Sequence, residues 1–263
     1  MGKLAKMDEV LYHTGLTRRA LQGAKYAVLP GDPGRVTGLA EGLGVTKELA
    51  LHREYKSALA DLQGVPVLVC STGMGGPSVA ICLEELAKLG ITHFVRVGTT
   101  GSLQEHINLG DLIINKAAVR LEGTSRHYAP LSFPAVADLA ITNALVAGAK
   151  QEKYAYHVGI GVTSDTFWPG QERYDSFTGY VPRDFQGTLK EWQQLGATNY
   201  EMEVAALFVV AQSFGLAAGA VCGVVAKRTT SEKVAPASLY AKVLPKMITT
   251  VKNAILLLSE RQV

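Results

Sequence analysis

An α/β fold, a single domain with a central β-sheet flanked by helices, is predicted by three features of the sequence. Short apolar runs rich in β-branched residues alternate with helix-length segments along almost all of the 263 residues. That alternation builds βαβ units. Several of the runs end in glycine-rich turns that lead into helices, a layout that aims backbone N–H groups at a ligand. No internal repeat, low-complexity segment or linker interrupts the pattern. Residues 1–263 are therefore read as one domain, long enough for a sizeable core.

Composition narrows the function classes. Hydrophobic residues are 48% and charged residues 19% of the chain, which describes a globular protein. The net charge is +3, with no Lys/Arg run interleaved with aromatics, so nucleic acid is excluded as a partner. The basic residues suit a small anion, one at a time. Cys70, Cys82 and Cys222 have no CxxC spacing, which predicts reduced thiols and a cytoplasmic protein. Met1–Val10 mixes Lys, Asp and Glu without an apolar run, so no signal peptide is expected. Val204 to Ala226 is 23 residues without a charge, long enough to span a bilayer. Gln212-Ser213 and Gly215 interrupt it, and a helix Val204–Phe214 followed by a strand Ala217–Val225 fits better. No membrane span is expected.

Taken in order, residues 1–23 form an arm containing His13, whose default role is that of a solvated side chain. Lys25–Leu29 is a short strand running into Pro30-Gly31-Asp32-Pro33-Gly34-Arg35 and a helix to about Gly42, with Arg35 one turn inside it. Such a strand–turn–helix step can hold an anion; an ordinary turn with a surface arginine reads equally well. Leu49–Asp61 reads as a strand opening a hairpin at Gln63-Gly64, and carries the charged triplet His52-Arg53-Glu54. Val65–Ser71 is a central strand ending in Thr72-Gly73-Met74-Gly75-Gly76-Pro77-Ser78, with a helix to Leu89. This fails the dinucleotide fingerprint, because Ser78 takes the third glycine's place and no acidic residue ends the next strand, so NAD is not expected. That next strand, from Ile91 through Val95 and Val97, ends in the turn Gly98-Thr99-Thr100-Gly101. Small residues and two hydroxyls make it a candidate anion site, or simply a tight turn. Arg96 lies inside the strand and needs a partner, since an unpaired buried guanidinium is costly.

Asp111–Leu121 is a further strand, Pro134–Ala149 a helix and Tyr156–Ser164 a strand. The loop Asp165–Tyr174 is rich in aromatics and hydrogen-bond donors. Gln171 and Arg173, two apart in an extended segment, point the same way and can read the edge of a planar polar ligand, with Phe167 as a stacking face. A surface loop with an aromatic anchor is the alternative. Tyr200-Glu201-Met202-Glu203 opens the next helix, where acidic residues complement the dipole or accept sugar hydroxyls. A C-terminal helix spans about Ala237–Arg261, with Pro245 as a potential kink.

Five motifs then occur together in order: Pro-Gly-Asp-Pro-x-Arg, Ser-Thr-Gly-x-Gly-Gly-Pro-Ser, Arg-x-Gly-Thr-Thr-Gly, Asp-Thr-Phe-x-Pro-Gly-Gln-Glu-Arg-Tyr and Asn-Tyr-Glu-Met-Glu. From His13 to about Thr229 the chain resembles the nucleoside phosphorylase family. The Gln-Glu-Arg-Tyr loop is similar to that of the bacterial members that cleave uridine rather than purine nucleosides. The resemblance implies a mixed central sheet and assigns roles. Gly31, Arg35, Arg96 and Thr99 would hold phosphate, joined by Arg53 from a neighbouring subunit. Thr100, Phe167, Gln171, Arg173 and Glu201 would form the base pocket. Met202, Glu203 and the neighbour's His13 would hold ribose. The active unit would be a homodimer, assembled into a hexamer. A monovalent cation such as K+ would sit at Glu54, Met74 and Ser78. No organic cofactor is implied, and phosphate would be a co-substrate. The stretch Val225–Leu239, a flap over the base in the family, differs from its relatives here.

The implied reaction is reversible phosphorolysis of uridine to uracil and ribose 1-phosphate. Arg173 and Gln171 would stabilise the departing uracil anion, with Arg228 acting through water, while Arg96 and its companions hold phosphate. The alternatives are a phosphorylase or hydrolase of the same fold acting on thymidine, deoxyuridine or a purine nucleoside, and a non-catalytic nucleoside-binding protein. Lys227-Arg228 stands where purine enzymes place an acid, which argues against purines.

Overall fold

One strand, β5 (His93–Ser102), carries the architecture of the computed structural model, which describes residues 2–231 and 233–260. Its first half is flanked by β1 (Tyr26–Pro30), parallel, from Tyr26 opposite His93 to Pro30 opposite Val97. Beyond β1 lie β4 (Val65–Cys70), β3 (Tyr55–Leu62) and β2 (Val45–His52). The other side of β5 pairs in parallel with β10 (Ala217–Lys227) along its whole length. The last two residues of β5, Gly101 and Ser102, pair antiparallel with the short β9 (Asn199–Glu201). From β9 the sheet continues through β8 (Tyr156–Ser164) and β6 (Leu112–Leu121) back to β10. Five strands thus close on themselves, and a four-strand wing leaves from β5. Parallel and antiparallel pairings coexist, so the sheet is mixed, as the resemblance implied.

Helices cover both faces. On one lie α2 (Gly76–Leu89), α5 (Val204–Ser213) and the N-terminal arm; on the other lie α1 (Val36–Leu43), α3 (Leu139–Gln151) and α6 (Ala237–Glu260). Strand residues alternate between the two cores: Ala27 and Leu29 face the first, Tyr26 and Val28 the second. A short helix, α4 (Thr188–Gln194), packs near β8 and β9 through Leu189 and Trp192. No helix among the described residues is long and apolar enough to cross a membrane. The uncharged stretch is split between α5 and β10. All three cysteines are buried and free.

Several local expectations are corrected. Gly98–Gly101 is not a turn: pairing with Cys222–Ala226 of β10 keeps it extended. The segment from Leu49 to Asp61 is two strands, because the chain reverses at Arg53-Glu54, where Arg53 adopts φ +55°. Arg35 sits on a 3-10 turn (Pro33–Arg35) ahead of α1, not a turn inside it. The expected helix from Pro134 begins only at Leu139, where Asp138 caps Ile141 N at 2.9 Å. Ala135–Val136 before it is a two-residue strand, β7, on β6. Gln171 and Arg173 lie not in an extended segment but around a 3-10 turn, with Glu172 at φ +48°. Tyr200 and Glu201 belong to β9 rather than to a helix start. Met1, Glu232 and residues 261–263, which include the expected helix end at Arg261, lie outside the described residues.

The arm is pinned to the body at a few points while most of residues 2–12 stay exposed. Leu11, Leu16 and Leu21 are buried in the core, and Glu85 of α2 ties it down. That carboxylate accepts from His13 N at 2.9 Å, Thr14 N at 2.8 Å and Thr14 Oγ1 at 2.9 Å, and meets His13 Nδ1 at 2.7 Å. Burial pushes the Glu85 carboxyl up, but the His13 and Thr14 donors win and hold it below its usual value of 4.5. Its contribution is therefore present above about pH 4.5 and lost as pH falls through the lower, folded-state value. Glu85→Gln is expected to destabilise the protein by about 1.5–3 kcal/mol at pH 7, the scale of hydrogen bonds to a charged group. Urea unfolding of both proteins at pH 7 and pH 4 checks this, the difference shrinking at the lower pH.

Candidate active site

β1 leaves β5 after Val97, and β9 joins it only at Gly101. Between them Gly98–Thr100 has no strand on that edge. A break of this kind at the carboxyl end of parallel strands is where open α/β sheets take ligands. A cavity of about 630 Å³ opens there.

One end is basic. Gly31, Arg35, Arg96 and Thr99 line it, and Gly73 N donates to Gly31 O at 2.9 Å to join the two turns. Arg96 is 6% exposed and finds the partner it requires in Glu203, through Arg96 Nη2 and Glu203 Oε2. The other carboxylate oxygen, Oε1, accepts from Gly75 N at 2.8 Å. Gly75 adopts φ +88° and Gly73 φ +70°, a region open to glycine at little cost. A Cβ on Gly73 would also lie 2.9 Å from Glu54 Cγ. Nε and Nη1 of Arg96 are buried without hydrogen-bond partners, leaving donors beside the cavity.

The opposite end is built from the 165–174 loop. Phe167, Gln171 and Arg173 line it. Gln171 and Arg173 are buried, and the Arg173 guanidinium lies over the Phe167 ring at 4.1 Å. Glu172 between them turns outward to accept from Gly187 N at 2.5 Å and Leu189 N at 2.6 Å. It so anchors the start of α4, a cap supplied from 15 residues upstream. Arg228 does not line the cavity. It is buried behind the loop, where Nη2 donates to Gln171 O at 3.1 Å and Glu172 O at 3.2 Å. That geometry ties the loop to the end of β10.

Between the ends lie Thr100, Glu201, Met202 and Glu203. The Thr100 hydroxyl is committed: it donates to Tyr200 O at 2.6 Å and accepts from Asn199 Nδ2 at 2.8 Å. Asn115 Nδ2 in turn donates to Asn199 Oδ1 at 2.8 Å. Glu201 is also committed, Oε2 accepting from Glu203 N and Val204 N at 2.7 Å and Oε1 meeting Thr163 Oγ1. Burial, then the charge of Glu203, pushes Glu201 up to about 7. A proton on Oε1 can be donated to Thr163 while Oε2 keeps both backbone donors.

His13 and Arg53 are not on the lining. Arg53 stands on the tip between β2 and β3, its Nη2 3.4 Å from Tyr12 Oη, and His52 Nδ1 lies 2.8 Å from His13 O. The two therefore share one face of the chain, outside the cavity. Glu54, Met74 and Ser78 meet at the rim: Ser78 Oγ donates to Met74 O at 3.1 Å, while the Met74 side chain is 83% exposed. Among the described residues no cluster of three or more His, Cys, Asp or Glu is arranged for a metal. The sequence reading missed Asp32, Tyr200 and Val234 on the lining, and Asn115 and Asn199 behind it. Asp32 had a local signal, an Asp two residues before a glycine whose N–H it caps at 2.7 Å. Asn199 and Tyr200 stand in the Asn-Tyr-Glu-Met-Glu motif and Val234 in the divergent Val225–Leu239 stretch, whereas Asn115, a strand residue, had no local signal.

The proton on Glu201 gives a pH test. The buried group holds a proton up to about pH 7, whereas the unfolded group releases it near 4.5. The native state binds more protons in that window, so on this group's account stability falls as pH rises from about 4.5 to 7. Thermal unfolding across this range should show the slope, and Glu201→Gln should flatten it.

The geometry can now be set beside known proteins. The chain is 53% identical to the uridine phosphorylase of Escherichia coli over 229 residues, 87% of this chain and 90% of that one. It is 53% identical to the uridine phosphorylase of Salmonella typhimurium over the same shares. It is 50% identical to that of Haemophilus influenzae over 222 residues, 84% of this chain and 88% of that one. The profile of the phosphorylase superfamily matches residues 25–257, from the foot of β1 to the last turns of α6. With the profile spanning the whole sheet and every strand around the cavity, this chain belongs to the phosphorylase superfamily.

Proposed function

We propose that the chain is a uridine phosphorylase, which splits uridine with inorganic phosphate into uracil and ribose 1-phosphate, reversibly, in pyrimidine nucleoside salvage. The observation that carries this reading is the polarity of the cavity. Arg35 and Arg96 stand at one end, and Gln171 and Arg173 are buried at the other. The identities above support it independently.

The chemistry follows from what each end can do. Arg35, Arg96, Thr99 and the Gly31 backbone bind phosphate. Gln171 and the in-plane N–H groups of Arg173 bind the polar edge of uracil, with Phe167 behind. Met202 and Glu203 face the ribose between. As the C–N bond loosens, positive charge grows on the sugar and negative charge on uracil. Donors held rigidly before the reaction stabilise the uracil anion at no cost in reorganisation. Phosphate then forms the new bond at the anomeric carbon, and the uracil anion takes up a proton. Neither inner carboxyl is aimed at the base as an acid: the Glu201 proton is directed at Thr163, and Glu203 is held by Gly75 N and Arg96. Arg228 acts by holding the loop carbonyls.

His13 and Arg53 join this scheme only across an interface, so the active unit is a dimer, which assembles further into a hexamer. At that interface the Glu54 carboxylate, Ser78 hydroxyl and Met74 carbonyl are hard oxygen donors that suit a monovalent cation such as K+. A cation there would fasten two copies together. The enzyme is read as cytoplasmic, and residues 1–263 as one domain.

The first test is uracil release from uridine with and without phosphate, followed by chromatography. Release only with phosphate is expected; equal release without it would mean a hydrolase. Arg96→Ala is expected to lower kcat/KM by roughly 10²–10³-fold, as for loss of a preorganised donor. The same change also strips Glu203 of its partner, and a lone buried carboxylate costs about 3–5 kcal/mol of stability. Arg96→Lys keeps the charge, folds, and still loses activity. Steady-state kinetics should further show Arg173→Ala to be worse for uridine cleavage than Arg53→Lys. The opposite order would relocate the base pocket.

A further inference from the structure

Arg35 reaches the cavity from the turn before α1, yet its side chain makes no hydrogen bond among the described residues. Its Nε is buried without a partner, and Asp32 Oδ2 stands 3.6 Å away. What steadies it is a ring. The guanidinium carbon lies 4.2 Å from the ring centroid of Tyr240, in the first turn of α6. Tyr240 packs against the core shared by α1, α3 and α6 and is not on the cavity lining. Its hydroxyl is buried without a hydrogen-bond partner, so the ring, not the oxygen, makes the contact. A guanidinium held over a π face keeps all its N–H groups in plane and available to an anion.

We propose that Tyr240 is a positioning residue for phosphate: its ring sets the Arg35 guanidinium edge-on to the basic end of the cavity. This rests on the reading of Arg35 as a phosphate ligand. Its only ion-pair partner among the described residues, Asp32, makes a long ion pair at 3.6 Å, and a closer carboxylate would compete with the anion for the same N–H groups. Asp32 is half out in solvent and beyond hydrogen-bond distance. The ring supplies attraction without occupying a donor.

The test is calorimetric titration of inorganic phosphate into the full chain as wild type, Tyr240→Phe and Tyr240→Leu. Leucine keeps apolar bulk against the core but has no π face. Tyr240→Leu should weaken phosphate binding roughly 3- to 30-fold, the range of a partly desolvated cation–π contact. Tyr240→Phe, which keeps the ring, should restore binding to within about twofold of wild type. The KM for uridine should stay unchanged in both. Unaltered phosphate affinity in the leucine variant, or no phosphate binding by the wild type, would overturn the proposal. So would an equal loss in the phenylalanine variant, which would assign the effect to the hydroxyl. So would a parallel rise in the uridine KM, which would mean a general packing defect. Wild-type protein that binds phosphate and shows the expected pattern, but releases no uracil, would support Tyr240 and sink the uridine reading alone.

Discussion

The molecule depends on how β5 is shared. A strand has two edges, and β10 occupies one of them throughout. The other edge is divided between β1 and β9, which leave Gly98–Thr100 uncovered between them. The polar groups bared there must find partners, and a ligand site is one solution. The turns after β1 and β4 close over the gap from one side, and the 165–174 loop from the other.

Buried carboxylates keep the gap in shape. Glu203 joins Arg96 to Gly75, Glu201 holds the first turn of α5, Glu172 anchors α4, and Glu85 fastens the arm. Their oxygens meet backbone N–H groups, the Thr163, Thr14 and Tyr174 hydroxyls, the His13 ring and the Arg96 guanidinium. A buried carboxyl is tolerated only when its oxygens are so satisfied. The consequence for chemistry is direct. In the proposed reaction the cavity works by placing donors where charge develops, and the proton that Glu201 holds is directed at Thr163.

Much of this was legible before any coordinates. The strand–turn–helix steps at Gly31 and Gly73 and the loop from Asp165 are local features, and so were the candidates Arg35, Gln171 and Arg173. Arg96 was known to need a partner, because cost attaches to a buried guanidinium wherever it lies. The partner itself, Glu203, was not legible, since 107 residues separate the two. The Gly98–Gly101 stretch was misread for the same reason. Glycine and threonine look like a turn locally, but ten residues of pairing with β10 decide otherwise. The cap of α4 and the strand β9 likewise depend on Glu172 and on neighbours β5 and β8.

The sequence by itself determined the fold class, the order of its elements and the identity of the residues able to bind an anion and a planar polar base. Periodicity, glycine placement and side-chain chemistry are properties of short stretches, and they survive without a third dimension. Tertiary structure alone decided which of those residues meet. It gathered Arg35, Arg96, Gln171 and Arg173 into one cavity, put Arg228 behind it, and left His13 and Arg53 on an outer face. Contacts between segments a hundred residues apart are set by strand pairing and core packing, and neither is written in any one stretch of chain.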